Sequence, residues 1–478
     1  MFGGTRVTAY HVVNILIHAA NSILVWTLVR KLYLTPVMRS ASACSDRETI
    51  AFLAALVFAV HPLMTEAVTY LVQRLVSLST LFFLVSFIFY LRIRTGQLSH
   101  SLKYLTISGF VISGLLAFFT RENTWVLPFL LLVAEKTFFK LSPGHRKWFT
   151  GLLILNVIMF LMILIYVIWS DKYFKPIPPL ETHPFTLTVP VYYLTQICVI
   201  CSYLKMLVIP AGQVFDRAFP LVFSFSEPRV ILCSFILLAY ILALFRIRKK
   251  HPILFFSLFW FLVAILPQSV VPRPNVYFEH RLYLPAIGIF IFIVNMIFAA
   301  GRRFGKAPRW LFYILIPVLA LLTISRNFIW HDELSLWKDT VKKSPGNVRA
   351  WSNLGNAAYR RQQYPEAESA FNQAVKISPR LAECWYNLAL SEHMQGKRQQ
   401  AVNSVSQAIR LDPGRAMYYH DRGVFFAMDR NYPLAISDFS KAISIEPGLR
   451  SALLNRARIY ELIGDTVLSQ QDMVAAGN

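Results

Sequence analysis

The densest chemistry in the sequence is Glu279-His280-Arg281-Leu282-Tyr283-Leu284-Pro285, which sets an acid, an imidazole, a guanidinium and a phenol at the entrance to an apolar run. Arginine and histidine placed there suit a phosphate, because a guanidinium offers a planar fork of donors to its oxygens. The same Tyr and Arg would also serve as interfacial anchors. His61-Pro62, with Glu66 and then Arg74, closes another apolar run. Two helical turns separate Glu66 from Arg74, so on a continuing helix both would project from similar faces. An acid within a membrane helix reads as functional, while Pro62 reads equally as a kink. Arg121-Glu122 stands between two apolar runs, as a solvated turn or as part of the same chemistry.

These residues sit among elements of two kinds. The chain has 478 residues, of which 56% are hydrophobic and 15% charged, against about 25% charged in an ordinary soluble domain. The composition divides near residue 327: apolar runs separated by basic or Pro-rich loops precede it, and polar helical sequence follows. Apolar runs able to enter a bilayer lie near 11–32, 49–61, 75–91, 104–119, 123–135, 148–169, 230–245, 253–268, 283–300 and 310–327. The shorter ones fall below the roughly 20 residues of a straight span. The net charge of +23 would suggest nucleic acid on a soluble surface. Here, however, 19 of the 48 basic residues fall in five short loops, and nucleic-acid binding is set aside. Placing those loops in the cytoplasm turns the chemistry-bearing loops and the C-terminal domain outward. It also requires 191–209, bounded by Pro190 and Pro210, to lie in the interface or re-enter. The five cysteines form no paired framework or metal spacing.

After residue 346 the pattern is a repeat. Pro345, Pro379, Pro413 and Pro447 are spaced by 34 residues, the period of tetratricopeptide repeats. Trp351, Leu354, Gly355, Ala367, Phe371 and Ala374 mark the first repeat; Trp385, Leu388, Ala389, Ala401, Val405 and Ala408 the second; Tyr419, Gly423, Ala435, Phe439 and Ala442 the third. A partial fourth begins near Leu453, Ala457 and Gly464. Small residues let paired helices approach and proline ends the second helix of each pair. Such an array implies protein or peptide binding, or a spacer role. The expectation is an all-α chain: a polytopic membrane domain over 1–327, a connector over 328–346, and repeats over 347–478.

Tyr10-His11 with Asn14 and His18, His61-Pro62 with Glu66 and Arg74, Arg121-Glu122, and Glu279 to Pro285 occur in an order, followed by the Trp330/Trp337 connector and the repeats, that resembles the transmembrane, tetratricopeptide-repeat O-mannosyltransferases and their bacterial relatives. That resemblance implies a multi-spanning C-type glycosyltransferase fold, a polyprenyl-phosphate sugar donor lying against the helices in the lipid bilayer, and a protein or glycan acceptor outside the cytoplasm. It makes Arg74, His280, Arg281 and Tyr283 candidates for the donor phosphate, and Glu66, Glu122 and Glu279 candidates for orienting metal, sugar or acceptor. It also implies a first helix and an acidic loop that the chain, opening at Phe2-Gly3-Gly4, is expected to lack, and the general base with them. No cofactor is assigned; a divalent cation stays open, without a clean ligand spacing.

Two functions from different classes follow. One is a membrane glycosyltransferase whose repeats bind acceptor or partner; the other is an inactive, membrane-anchored repeat scaffold. Many apolar segments with charged loops favour the first, since a scaffold needs one anchor. A transporter fits less well, without paired inverted halves. Short loops point to a bacterial inner membrane with periplasmic repeats; the alternative is the endoplasmic reticulum with lumenal repeats.

Overall fold

The computed structural model describes residues 7–39, 45–96, 98–139, 187–273, 275–304 and 307–477, with isolated positions between 150 and 161. Their regular structure is helical. Contacts divide them into two units, the second comprising Asp216–Ala218 and the chain from Asp332 onward.

The first unit contains α1 (Val7–Tyr33), α2 (Arg47–Val60), α3 (Thr65–Thr69), α4 (Arg74–Thr95), α5 (His100–Thr120), α6 (Leu127–Phe138), α7 (Val189–Val208), α8 (Pro228–Ile247), α9 (Pro252–Val270), α10 (Tyr283–Phe304) and α11 (Leu311–Ile329). Among the described residues eight helices are long and apolar enough to cross a bilayer, or nine if α2 and the bent piece after it form one span. The chain is a multi-pass membrane protein. α10 is buried along most of its length, whereas α5, α8 and α11 present most of their surface outward, as helices facing lipid must. α9 and α10 meet backbone to backbone. A Cβ at Gly288 would stand 2.3 Å from the Ser257 carbonyl oxygen, so a side chain there would drive the helices apart.

Two expectations need correction. α6 has 12 residues, about 18 Å of helix, and does not cover a bilayer core of roughly 30 Å. The run at 123–135 is therefore not a span of that extent; Glu122–Thr124 forms a 3-10 turn ahead of it. Glu66 and Arg74 do not share a continuing helix. Pro62 follows the end of α2, the axis bends by 53°, α3 stops at Thr69, and Tyr70 is extended before the turn Leu71–Gln73. Proline lacks the N–H that would continue α2 and disfavours helix at the residue before it. The connector is partly structured, because Glu333–Lys343 is a helix. The run at 148–169 lies largely outside the described residues.

α7 has the length and composition of a span, but its partners lie at one end of the bundle. Near its start, Tyr192 donates to the Val271 carbonyl at 2.9 Å and Gln196 to the Val276 carbonyl at 3.0 Å. Near its end, the Tyr203 hydroxyl donates to the Phe278 carbonyl at 2.9 Å. All three acceptors belong to the stretch between α9 and α10, so α7 packs along that stretch as one continuous helix.

In the second unit α12 (Glu333–Lys343) precedes four helix pairs: α13 (Val348–Arg360) with α14 (Tyr364–Ile377), α15 (Ala382–Met394) with α16 (Arg398–Leu411), α17 (Ala416–Met428) with α18 (Tyr432–Ile445), and α19 (Arg450–Leu462) with α20 (Thr466–Gly477). Asp332 caps α12 by accepting from Ser335 N–H at 3.0 Å, and α12 packs on α13, burying Leu334, Trp337 and Val341. A Cβ on Gly355 would lie 2.5 Å from the Phe371 ring, so the glycine and the phenylalanine of the repeat specify one close contact.

Two outcomes are expected. Gly355→Ala should cost about 1–3 kcal/mol by overpacking, seen as earlier loss of helicity on heating; an unchanged melt would mean the pair relaxes freely. In a cysteine-free background, Thr188→Cys and Ser226→Cys should react with an impermeant thiol reagent from the same side of the membrane. Labelling from opposite sides would show that α7 crosses.

Candidate functional site

The site is built where the helical backbone is interrupted. Glu66 lies in the first turn of α3 and is buried. Its two oxygens accept from His280, one from the backbone N–H at 3.0 Å and the other from ring Nδ1 at 2.6 Å. A carboxylate can only accept, so Nδ1 carries the proton and the ring is fixed by its partner. Glu279, one residue earlier, accepts from the Val214 N–H at 2.6 Å. Arg281 donates to the carbonyls of Val276 at 3.0 Å and Asn275 at 2.7 Å, and lies over the Phe278 ring.

Arg121 and Glu122 flank this group. Arg121 donates to Gln73 at 3.0 Å. Burial pushes its pKa down, against the favourable field of Glu122, and the nearby Arg273 and Arg281 push the same way. Glu122 pairs with Arg273 at 2.7 Å. Burial works to raise its carboxyl, but a backbone hydrogen bond and the Arg273 and Arg121 charges outweigh that and hold it below the usual range. Arg273 was not singled out by the sequence; its one signal was an arginine between two prolines in a loop otherwise free of charge until Glu279.

A second group surrounds α1. Arg74 donates through Nε to Asn14 Oδ1 at 2.8 Å and stacks its guanidinium over Tyr10 at 5.0 Å. Asn14 in turn donates to the Val68 carbonyl. His18 donates through Nε2 to the Ala59 carbonyl at 3.1 Å, so its Nδ1 accepts from the Tyr283 hydroxyl at 2.7 Å. Asn21 donates to the same hydroxyl. The structure thus joins Tyr10, Asn14 and Arg74, and separately His18, Asn21 and Tyr283. Arg74, His280, Arg281 and Tyr283 are each held by a different protein partner.

Beside both groups opens a cleft of about 620 Å³ between α1, α3 and α11. His11, His18, His61, Thr65, Asn327 and His331 supply its polar lining, and Ile15, Met64, Val68, Ile324 and Phe328 its apolar lining. Thr65 is 4% exposed, and its hydroxyl has no hydrogen-bond partner, nor does the Trp330 indole nitrogen at the same cleft. A buried hydroxyl left unpaired costs free energy, which rotation of the side chain toward a group in the cleft would recover. Among the described residues, no group of three His, Cys, Asp or Glu is placed to hold a metal ion.

The C-terminal part matches tetratricopeptide-repeat family models over residues 347–413 and 386–450. The chain is 26% identical over 427 residues to the protein O-mannosyl-transferase Tmtc3 of Drosophila melanogaster, covering 76% of this chain and 46% of that protein. It is 24% identical over 408 residues to the protein O-mannosyl-transferase TMTC3 of Mus musculus, covering 77% and 42%. It is 31% identical over 126 residues to human TMTC2, 23% of this chain and 15% of that protein. A crystal structure of MamA aligns with 30% of this chain and 84% of its own, at 24% identity and a TM-score of 0.29. The chain spans about half the length of the curated relatives Tmtc3 and TMTC3. The resemblance carried by the motifs is found again in these relatives.

The Glu122–Arg273 pair yields a test with a defined sign. A carboxyl whose folded pKa is depressed stabilises above its unfolded pKa, and loses that contribution as pH falls through the folded value. Glu122→Gln should cost about 1 kcal/mol near neutral pH, with the difference from the parent vanishing well below the ordinary glutamate value of about 4.3. A pH-independent difference in thermal stability would mean that the charge is not what the pair contributes.

Proposed function

We propose that this chain is a membrane glycosyltransferase that takes a mannose-like sugar from a polyprenyl-phosphate donor and places it on a polypeptide hydroxyl outside the cytoplasm. The observation that supports it best is the cleft between α1, α3 and α11, with apolar and imidazole walls meeting beside the buried Glu66–His280 pair. An isoprenoid phosphate is an amphiphile of that kind: an apolar chain ending in a group that accepts hydrogen bonds. The names of the relatives support the same reading.

In the reaction the acceptor hydroxyl oxygen bonds to the sugar's anomeric carbon. The bond from that carbon to the phosphate oxygen breaks, the lipid phosphate leaves with the electron pair, and the hydroxyl proton passes to a base. Within this chain, Glu66, Glu122 and Glu279 each accept from a fixed donor. We read them as groups that position His280, Arg273 and the backbone rather than as the base. His18, set by Ala59 and Tyr283, and His61, which accepts from the Leu63 N–H at 3.3 Å, face the cleft in defined orientations. They would orient the donor's oxygens.

The test is transfer of label from radiolabelled polyprenyl-phosphate mannose to a membrane-protein acceptor pool by the purified full chain. Slow transfer is expected, because no residue of this chain is assigned as the base, and Glu66→Gln should lower it about a hundredfold further by releasing the His280 segment. Neither transfer nor donor hydrolysis would overturn the reading in favour of a membrane-anchored repeat scaffold.

A further inference from the structure

Three cysteines meet at one place in the membrane unit. Cys198 and Cys201 stand one turn apart on α7, and Cys233 lies in the second turn of α8. The Cys201 thiol donates to the Cys233 carbonyl at 3.5 Å. The thiols of Cys198 and Cys201 each make a side-chain hydrogen bond with the Cys233 thiol, so one sulfur on α8 faces two on α7. All three are free thiols, and among the described residues they are not placed to hold a metal ion. Cys198 is buried, whereas Cys201 and Cys233 are half-buried. A reagent arriving at the seam between α7 and α8 therefore meets Cys201 and Cys233 first.

The seam lies toward one end of α8. Cys233 stands five residues from Pro228, about 8 Å along the helix, and Arg229 and Glu227 act on Cys198 through their charge. Arg246, Arg248, Lys249 and Lys250 lie at the opposite end of that helix or just past it. With the basic end in the cytoplasm, the thiols lie toward the outer face, and compartments there allow disulfides to form and persist. α7 is held on its other side as well. Tyr192, Gln196 and Tyr203 donate to the stretch between α9 and α10, and Cys201 stands about 200° round the helix from Tyr203.

We infer that Cys201 and Cys233 form a disulfide that staples α7 to α8, made by exchange with an incoming small organic disulfide. One protein thiolate attacks a sulfur of that disulfide, giving a mixed disulfide and expelling one thiolate. The second protein thiolate attacks the protein sulfur of the mixed disulfide and expels the other. Two protein thiols thereby lose two electrons and two protons, and the incoming disulfide takes up both as two thiols. The bond joins residues 32 apart in sequence, which removes chain entropy from the unfolded state. It fixes α7 from the side opposite to the stretch that carries Glu279, His280 and Arg281, and it forms or fails whether or not sugar is transferred.

The experiment treats the full chain, reduced and in detergent, with dipyridyl disulfide, and maps the products by mass spectrometry after proteolysis without reductant. Peptides linked through Cys201 and Cys233 are expected, with the link lost in Cys233→Ser and kept in Cys198→Ser. The linked chain should unfold roughly 5 °C higher than the reduced one and return to the lower midpoint on reduction. The parent chain's own map decides the link even where a serine variant folds poorly. Separate pyridyl adducts on the two thiols, as packing of cysteine as a small hydrophobe would leave them, would overturn the staple. So would a link from Cys233 to Cys198, a link between two chains, or an unchanged midpoint.

Discussion

The membrane unit depends on satisfying irregular backbone at the end of its helical bundle. Non-helical backbone at membrane depth is tolerated where protein surrounds it and every N–H and C=O is paired. Among the described residues, two such interruptions are the break between α2 and α4 and the stretch between α9 and α10. The buried Glu66–His280 pair joins them, with one oxygen on the ring and the other on the backbone N–H. Removing one member of a buried pair typically costs about 3–5 kcal/mol, so the two interruptions are held as one structure. Glu279 serves the Val214 N–H, Arg281 the carbonyls of Val276 and Asn275, and Tyr203 both the N–H and the carbonyl of Phe278. Residues dense enough in the sequence to suggest catalysis are here the caps of a broken backbone.

That double role explains what was legible. The repeats were, because a fixed period aligns glycine, alanine, aromatic and proline in phase, and Gly355 against Phe371 is what the phase demands. The crowding of acid, imidazole, guanidinium and phenol from Glu279 to Tyr283 was legible as well, whereas their engagement with the backbone of the turn was not. The break after α3 was not. Tyr70 carries no glycine or proline signal, and its extended conformation is imposed by tertiary contact, the ring meeting Phe215 and Trp330. Partner identity was hidden for a related reason. Arg74 meets Asn14, 60 residues away, and Arg273 meets Glu122, 151 residues away; local pattern has no access to such pairings.

On the proposed function, the engagement of Arg281 bears on where a lipid phosphate would fit. A guanidinium that already donates to two carbonyls, 5% exposed, would have to abandon buried acceptors to bind an anion. Each abandoned acceptor costs about 1–3 kcal/mol, which offsets much of a charge-assisted bond. The cleft carries no such debt. Its Thr65 hydroxyl and Trp330 indole nitrogen lack partners, so turning either toward a ligand there would break no hydrogen bond. Along α1 its wall alternates imidazole and aliphatic, through His11, Ile15 and His18. Arg281 then acts at one remove, by holding the turn that brings His280 to Glu66 and Tyr283 to His18.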